Sequence, residues 1–219
     1  MIRSVRVFCL AVPAFLLLLP APARAQEAFV PGARVIFQED FAAPRDTVFR
    51  RLRSVSPRIG LQARDGRAFL HARTPSSFEI VLPERLPERY TIEFDFFIPG
   101  VNQVGITSLG GGDVENGSVY CGPHTVTVSS GGEEDRVAEL DEIEGLGGTT
   151  EERVNHCAIM VEGSRTRVWV NGRPVLDVPD LAPRPSDRLR VHFAGVEDPT
   201  LLDQNIQVWL TSLRIAAAR

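Results

Sequence analysis

Tyr90-Thr91-Ile92-Glu93-Phe94-Asp95-Phe96-Phe97-Ile98, closed by Pro99-Gly100, decides the fold class of this chain. Ile92, Phe94, Phe96 and Ile98 share one side of an extended backbone, and Thr91, Glu93, Asp95 and Phe97 share the other. A period of two belongs to a strand with one face on a core and one toward water. The proline-glycine pair that follows is a strong stop.

Working outward, the same texture recurs. Arg34–Gln38, Ser77–Leu82, Val104–Leu109, His124–Ser129, Val154–Val161, Arg188–Phe193 and Ile206–Ile215 are short β-branched and aromatic runs. Ile59–Ala63 and Arg67–Ala72 flank Asp65-Gly66, and Arg165–Val170 and Pro174–Val178 flank Asn171-Gly172. Both dipeptides are hairpin signals, and Pro174 predicts a sheet edge for the last run. About eleven short strands with regular turns predict an all-β sandwich or jelly roll of antiparallel sheets, since a parallel sheet needs helices between its strands. One helix is predicted, over Glu133–Leu146, where Val137, Leu140 and Ile143 recur every three residues behind acidic residues.

The first 25 residues are expected to be a signal peptide rather than part of the fold. Arg3 and Arg6 precede the apolar run Val7–Leu19, and Ala23-Arg24-Ala25 is a small-x-small cleavage site. The domain then covers residues 26–219. All 24 basic residues are arginine, so chemistry built on a P-loop or Schiff-base lysine is excluded. The mature chain keeps 21 arginines against 28 acidic residues, a net charge of −7. That balance disfavours nucleic acid, whose phosphates need clustered positive charge. The mature chain also contains no membrane span. Cys121 and Cys157 remain. If the strands beside the Glu133–Leu146 excursion pair with one another, the two cysteines fall opposite and can form a disulfide; two separately buried thiols are the alternative.

Val35-Ile36-Phe37-Gln38-Glu39-Asp40-Phe41, Leu86-Pro87-Glu88-Arg89-Tyr90-Thr91-Ile92-Glu93-Phe94-Asp95-Phe96, Asn155-His156-Cys157-Ala158-Ile159 through Val168-Trp169-Val170-Asn171-Gly172-Arg173, and Leu213-Arg214-Ile215-Ala216 are the most distinctive segments. Together they resemble concanavalin A-like (laminin-G-like) jelly-roll domains of bacterial exported or envelope proteins. Val154-Asn155 stands where that family usually has tryptophan before its histidine pair. The resemblance implies a concanavalin A-like jelly-roll sandwich whose closing strand pairs with its opening strand.

Several groups offer chemistry. Glu139, Asp141 and Glu144, spaced E-x-D-x-x-E, resemble the catalytic strand of retaining jelly-roll glucanases, which needs two carboxylates about 5–5.5 Å apart. The run is charged and bracketed by glycines, so a solvated acidic loop is expected instead. Glu93 and Asp95 form a shorter version on the polar face of their strand. Asp113, Glu115 and Asn116 offer oxygen ligands for calcium, without the spacing of a defined calcium loop. No other cofactor is expected. His156 and Cys157 are adjacent, and adjacent strand residues point to opposite faces, so they cannot share a metal. Alternation turns Trp169, Arg190, His192, Gln207 and Trp209 away from the core. If they share one sheet, they form a concave ligand-binding surface. The expected function is an exported, non-catalytic binding module for carbohydrate or cell-envelope components. A structural or protein-interaction domain is the alternative, followed by a glycoside hydrolase.

Overall fold

The strand read from Tyr90 to Ile98 is present as Arg89–Phe97, inside a sheet. The structure, a computed structural model, describes residues 28–64, 67–98, 102–110, 115–129, 135–143, 146, 153–194 and 207–218. Its strands are β1 (Arg34–Glu39), β2 (Leu52–Arg53), β3 (Ile59–Arg64), β4 (Arg67–Arg73), β5 (Ser76–Val81), β6 (Arg89–Phe97), β7 (Gln103–Leu109), β8 (Glu115–Cys121), β9 (Thr125–Ser129), β10 (Asp135–Glu139), β11 (Asn155–Glu162), β12 (Arg165–Val170), β13 (Arg173–Val178), β14 (Arg188–Ala194) and β15 (Gln207–Ala217). They form two antiparallel sheets, an all-β jelly-roll sandwich as the pattern predicts.

One sheet runs β13-β12-β11-β6-β15-β4-β3, with β1 also on β15; because it holds the first and last strands we call it the terminal sheet. The other, the medial sheet, runs β10-β9-β8-β7-β14-β5-β2. The closing strand pairs with the opening one, Arg34 opposite Ala217 through Glu39 opposite Leu213. Phe94, Phe96, Ile159, Val168 and Leu210 of the terminal sheet share one buried cluster with Phe78, Ile80, Ile106, Val191 and Phe193 of the medial sheet. Such phenyl burial supplies the main driving force for stacking two sheets.

The Asn171-Gly172 hairpin forms as read. Both residues have positive φ, 52° and 77°, as the favoured two-residue turn requires. Asn171 also donates through Nδ2 to Asn155 Oδ1 at 2.9 Å and accepts from the His156 backbone at 3.0 Å. Asn155 thus ties down this hairpin. β13, with Pro174, is the sheet edge.

Two expectations change. The described part of Glu133–Leu146 is not helical: β10 pairs residue by residue with β9, and a 3₁₀ turn follows over Leu140–Glu142. The spacing of Leu140 and Ile143 is that of a 3₁₀ turn, which also repeats every three residues. Val137 faces water, 54% exposed. A helix unforeseen in the sequence, α1 (Arg45–Arg51), starts after Pro44 and buries only Val48.

The disulfide Cys121–Cys157 is present, with Cα atoms 6.9 Å apart. Its geometry differs from the expected cross-strand pair. Cys121 ends β8 in the medial sheet and Cys157 lies in β11 of the terminal sheet, so the bond crosses the sandwich. His156 points outward while Cys157 is buried, as adjacent strand residues must. The bond closes a sequence separation of 36 residues. Chain entropy for such a loop is about 3–4 kcal/mol. Reduction is therefore expected to lower unfolding free energy by about that amount in urea titrations with and without reductant, and thiol titration of denatured, unreduced protein is expected to find neither cysteine reactive.

Candidate functional site

The outer face of the medial sheet gathers the most organised polar cluster. In β14, Leu189, Val191 and Phe193 enter the core, which turns Arg188, Arg190 and His192 outward. Opposite Arg190, β5 presents Glu79, only 7% exposed. One oxygen of Glu79 accepts from Arg190 Nη2 at 2.8 Å and Nε at 3.2 Å; the other accepts from Arg188 Nη2 at 2.9 Å. The hydrogen bond from Arg190 does most to hold the Glu79 carboxyl below the usual carboxylate value, against the opposing effect of its burial. In return Glu79 fixes the plane of the Arg190 guanidinium.

On the other side of Arg190 lies Glu115. One carboxylate oxygen of Glu115 is 3.8 Å from Arg190 Nη1 and 3.8 Å from His192 Nε2. Burial pushes the His192 imidazole below its ordinary value, so it is neutral near pH 7. Its Nε2 is buried and has no hydrogen-bond partner among the described residues. Gly105 is paired with both His192 and Tyr120. The Tyr120 ring leans across Gly105 into space that any side chain would fill, since a Cβ there would come within 2.3 Å of the ring. Tyr120 and His192 rings are 6.4 Å apart. Behind them the Thr107 and Ser118 hydroxyls bond each other at 2.8 Å.

The terminal sheet's outer face carries a different set. Asp95 accepts from His156 Nδ1 at 2.7 Å and from the Ser212 hydroxyl at 2.9 Å. Glu93 bonds Arg214 and lies 4.0 Å from His156 Nε2. Trp209 packs on Phe97 with ring centroids 4.9 Å apart, beside Phe69 and His71. The N-terminal segment crosses the same face. Phe29 lies 5.3 Å from Trp169, the Gly32 amide donates to Thr91 Oγ1, and Arg214 donates to the Gly32 carbonyl.

The five residues expected to form one surface are therefore divided. Arg190 and His192 adjoin on the medial sheet, whereas Trp169, Gln207 and Trp209 belong to the terminal sheet. Trp169 does point away from the core, but Phe29, Ala158 and Met160 cover it and leave it 2% exposed. The E-x-D-x-x-E run does not follow one strand. Glu139 ends the edge strand β10, Asp141 is in the 3₁₀ turn and accepts from His124 Nδ1 at 3.0 Å, and Glu144 lies outside the described residues. Of the calcium candidates, Asp113 also lies outside them. Glu115 faces the Arg190 guanidinium and the His192 imidazole, and the Asn116 amide packs on Gly110. No group of three or more His, Cys, Asp or Glu among the described residues is arranged to hold a metal. Sequence reasoning missed Glu79, Tyr120 and Gly105. Each is placed outward by alternation, but only strand pairing brings the three beside Arg190 and His192.

Neither a family model nor a characterised protein matches the sequence. Solved structures match the fold. A sialidase superposes with TM-score 0.58 at 13% identity, over 86% of this chain and 19% of that one. The binding domain of botulinum neurotoxin serotype D/C gives 0.54 at 15%, over 77% and 44%. The binding domain of botulinum neurotoxin DC in complex with SialylT gives 0.53 at 14%, over 77% and 42%. The chain spans less than half the length of each of these proteins, and at these identities the likeness is one of fold.

The Asp95–His156 pair has a defined pH signature. The hydrogen bond from His156 does most to lower the Asp95 value below 3.8, and the same bond does most to raise His156 above 6.5. A depressed acid stabilises above its unfolded value and loses that contribution as pH falls through the folded one. A raised histidine stabilises below 6.5 and loses that contribution as pH rises through its folded value. The pair is thus fully effective between 3.8 and 6.5. Both groups are partly exposed, which limits the effect to about 0.5 kcal/mol. Comparing parent with His156→Gln by urea denaturation, the stability difference is expected to be largest in that window and to shrink at alkaline pH; a difference that persists there would show a packing effect instead.

Proposed function

We propose that this chain is an exported, non-catalytic binding module of the concanavalin A-like (laminin-G-like) kind, and that its outer medial face takes carbohydrate or a glycan of the cell envelope. The observation that carries this reading is the convergence of Tyr120, Arg190, His192 and Glu115 on one sheet face, with Arg190 locked by Glu79. Sugar hydroxyls are both donors and acceptors, and this set matches them. A guanidinium fork donates, an exposed carboxylate accepts, and a neutral imidazole can do either. An aromatic ring supports the apolar C–H face of a pyranose. The buried, unpartnered His192 Nε2 is a polar atom that a ligand hydroxyl would satisfy.

The same geometry argues against hydrolysis at this face. Glycosidic cleavage needs a protonatable carboxylic acid beside a second carboxylate. Glu79 is bound by two arginines and its carboxyl is held low, so it has no proton to give. A disulfide crossing the core suits an oxidising, exported location, and among the described residues no helix is long and apolar enough to cross a membrane. The SialylT complex of a toxin domain with the same fold lends support by fold analogy alone.

A glycan and peptidoglycan screen of the chain from Gln26 tests the reading. Tyr120→Ala and Arg190→Lys, the latter keeping a charge beside Glu79 while removing the fork, are each expected to weaken the best ligand about tenfold or more. Gly105→Val, which drives a side chain into the Tyr120 ring, is expected to act in the same direction. An empty screen, or a Tyr120→Ala variant that binds like the parent, would overturn the site and leave a protein-interaction domain as the better account.

A further inference from the structure

A second surface contrasts with the acidic charge of the chain. Between Arg45 and Arg58 there are five arginines and one acid, Asp46, although the chain from Gln26 carries −7 overall. Three of these arginines, Arg50, Arg51 and Arg53, line one groove of about 590 Å³ together with Ile36, Phe37, Gln38, Val81, Leu82 and Pro83. The volume is that of a small-molecule site. Local fold explains the gathering. The last turn of α1 and the two residues of β2 bring the arginines to one side, and β1 and the end of β5 supply the apolar wall.

The charge in this groove is poorly compensated. Glu39, 2% exposed, is occupied by Arg51 at 3.0 Å and by the Phe41 amide. Arg50 is held by a backbone carbonyl, that of Asp46, and carries no carboxylate among its described partners. Arg53 is exposed and stands opposite Glu79 in the β2–β5 ladder, but both Glu79 oxygens are already taken by Arg188 and Arg190. Beside them Val81 is 50% exposed, unusual for a large aliphatic side chain flanked by charge. Positive charge over an apolar floor complements a ligand with the opposite order, an anionic head on an alkyl body.

We propose that this groove binds an amphiphilic phosphate, with the phosphate on Arg50 and Arg53 and the alkyl part along Ile36, Phe37, Val81 and Leu82. The ligand chemistry has two sources, a phospholipid at a bilayer surface or a dispersed single-chain phosphate. Val81 stands opposite Arg188 in the β5–β14 ladder, so the groove borders the glycan face but uses different side chains.

Three probes separate the outcomes: vesicles of phosphatidylglycerol and phosphatidylcholine against phosphatidylcholine alone, monomeric dodecyl phosphate, and inorganic phosphate. Vesicle co-sedimentation and calorimetry are run on the parent, on Arg50→Glu/Arg53→Glu, and on Val81→Asp. Arg51 stays untouched because it neutralises buried Glu39, and the altered side chains are exposed, so circular dichroism should match the parent. Binding of dodecyl phosphate, weakened about tenfold or more by the double charge reversal and by Val81→Asp, supports the proposal. Co-sedimentation with the anionic vesicles as well places the ligand in a bilayer, and its absence makes the ligand a dispersed amphiphile. Failure of both amphiphiles to bind, equal binding by the double variant, or inorganic phosphate binding as tightly as dodecyl phosphate would overturn it. Tyr120→Ala is expected to leave dodecyl phosphate binding unchanged, which keeps this result independent of the glycan reading.

Discussion

The sandwich depends on strict alternation along β6 while both of its edges are paired. Its backbone is satisfied on one side by β11 and on the other by β15, so its side chains are forced to two faces with no freedom of register. Inward, Phe94 and Phe96 fill the space between the sheets. Outward, the same strand supplies Glu93 to Arg214, Asp95 to His156 and Ser212, and Thr91 to the N-terminal segment. A slip of one residue would put two carboxylates into an apolar core and two phenyl rings into water, each change costing several kcal/mol.

That constraint explains what could be read in advance. The strand at Tyr90–Ile98, the Asn171-Gly172 hairpin, the edge position of Pro174 and the pairing of first and last strands all follow from local chemistry or from the resemblance those segments carry. Alternation also gave the correct side of the strand for Trp169, Arg190, His192 and Trp209. It could not say to which sheet each strand belongs, since that depends on long-range pairing with no local signal. Nor could it foresee that Phe29, more than a hundred residues away in sequence, would lie on Trp169. The excursion around Glu139 misled for a related reason. A three-residue repeat fits both a helix and the 3₁₀ turn, and only the ladder with β9 decides between them.

The medial face shows how an acidic protein can keep an arginine fixed at its surface. Exposed guanidiniums sample many rotamers and gain little from single partners. Here Glu79 sits low between Arg188 and Arg190, nearly out of solvent, and binds both. Its own charge is offset, while the Arg190 plane is set before any ligand arrives. Such preorganisation reduces the entropy lost on binding. Lysine could not take this place, because a single ammonium lacks the fork that spans one carboxylate oxygen twice.

The antiparallel contact of β1 with β15 has a consequence for how the domain can be used. Arg34 faces Ala217, so the start of β1 and the end of β15 are neighbours. The domain is in effect a cassette whose two attachment points lie side by side. It could be spliced into a surface loop of a host protein with short connectors, or have its ends joined and be reopened elsewhere, without disturbing the medial face, provided the Phe29–Gly32 segment keeps its place over the terminal sheet.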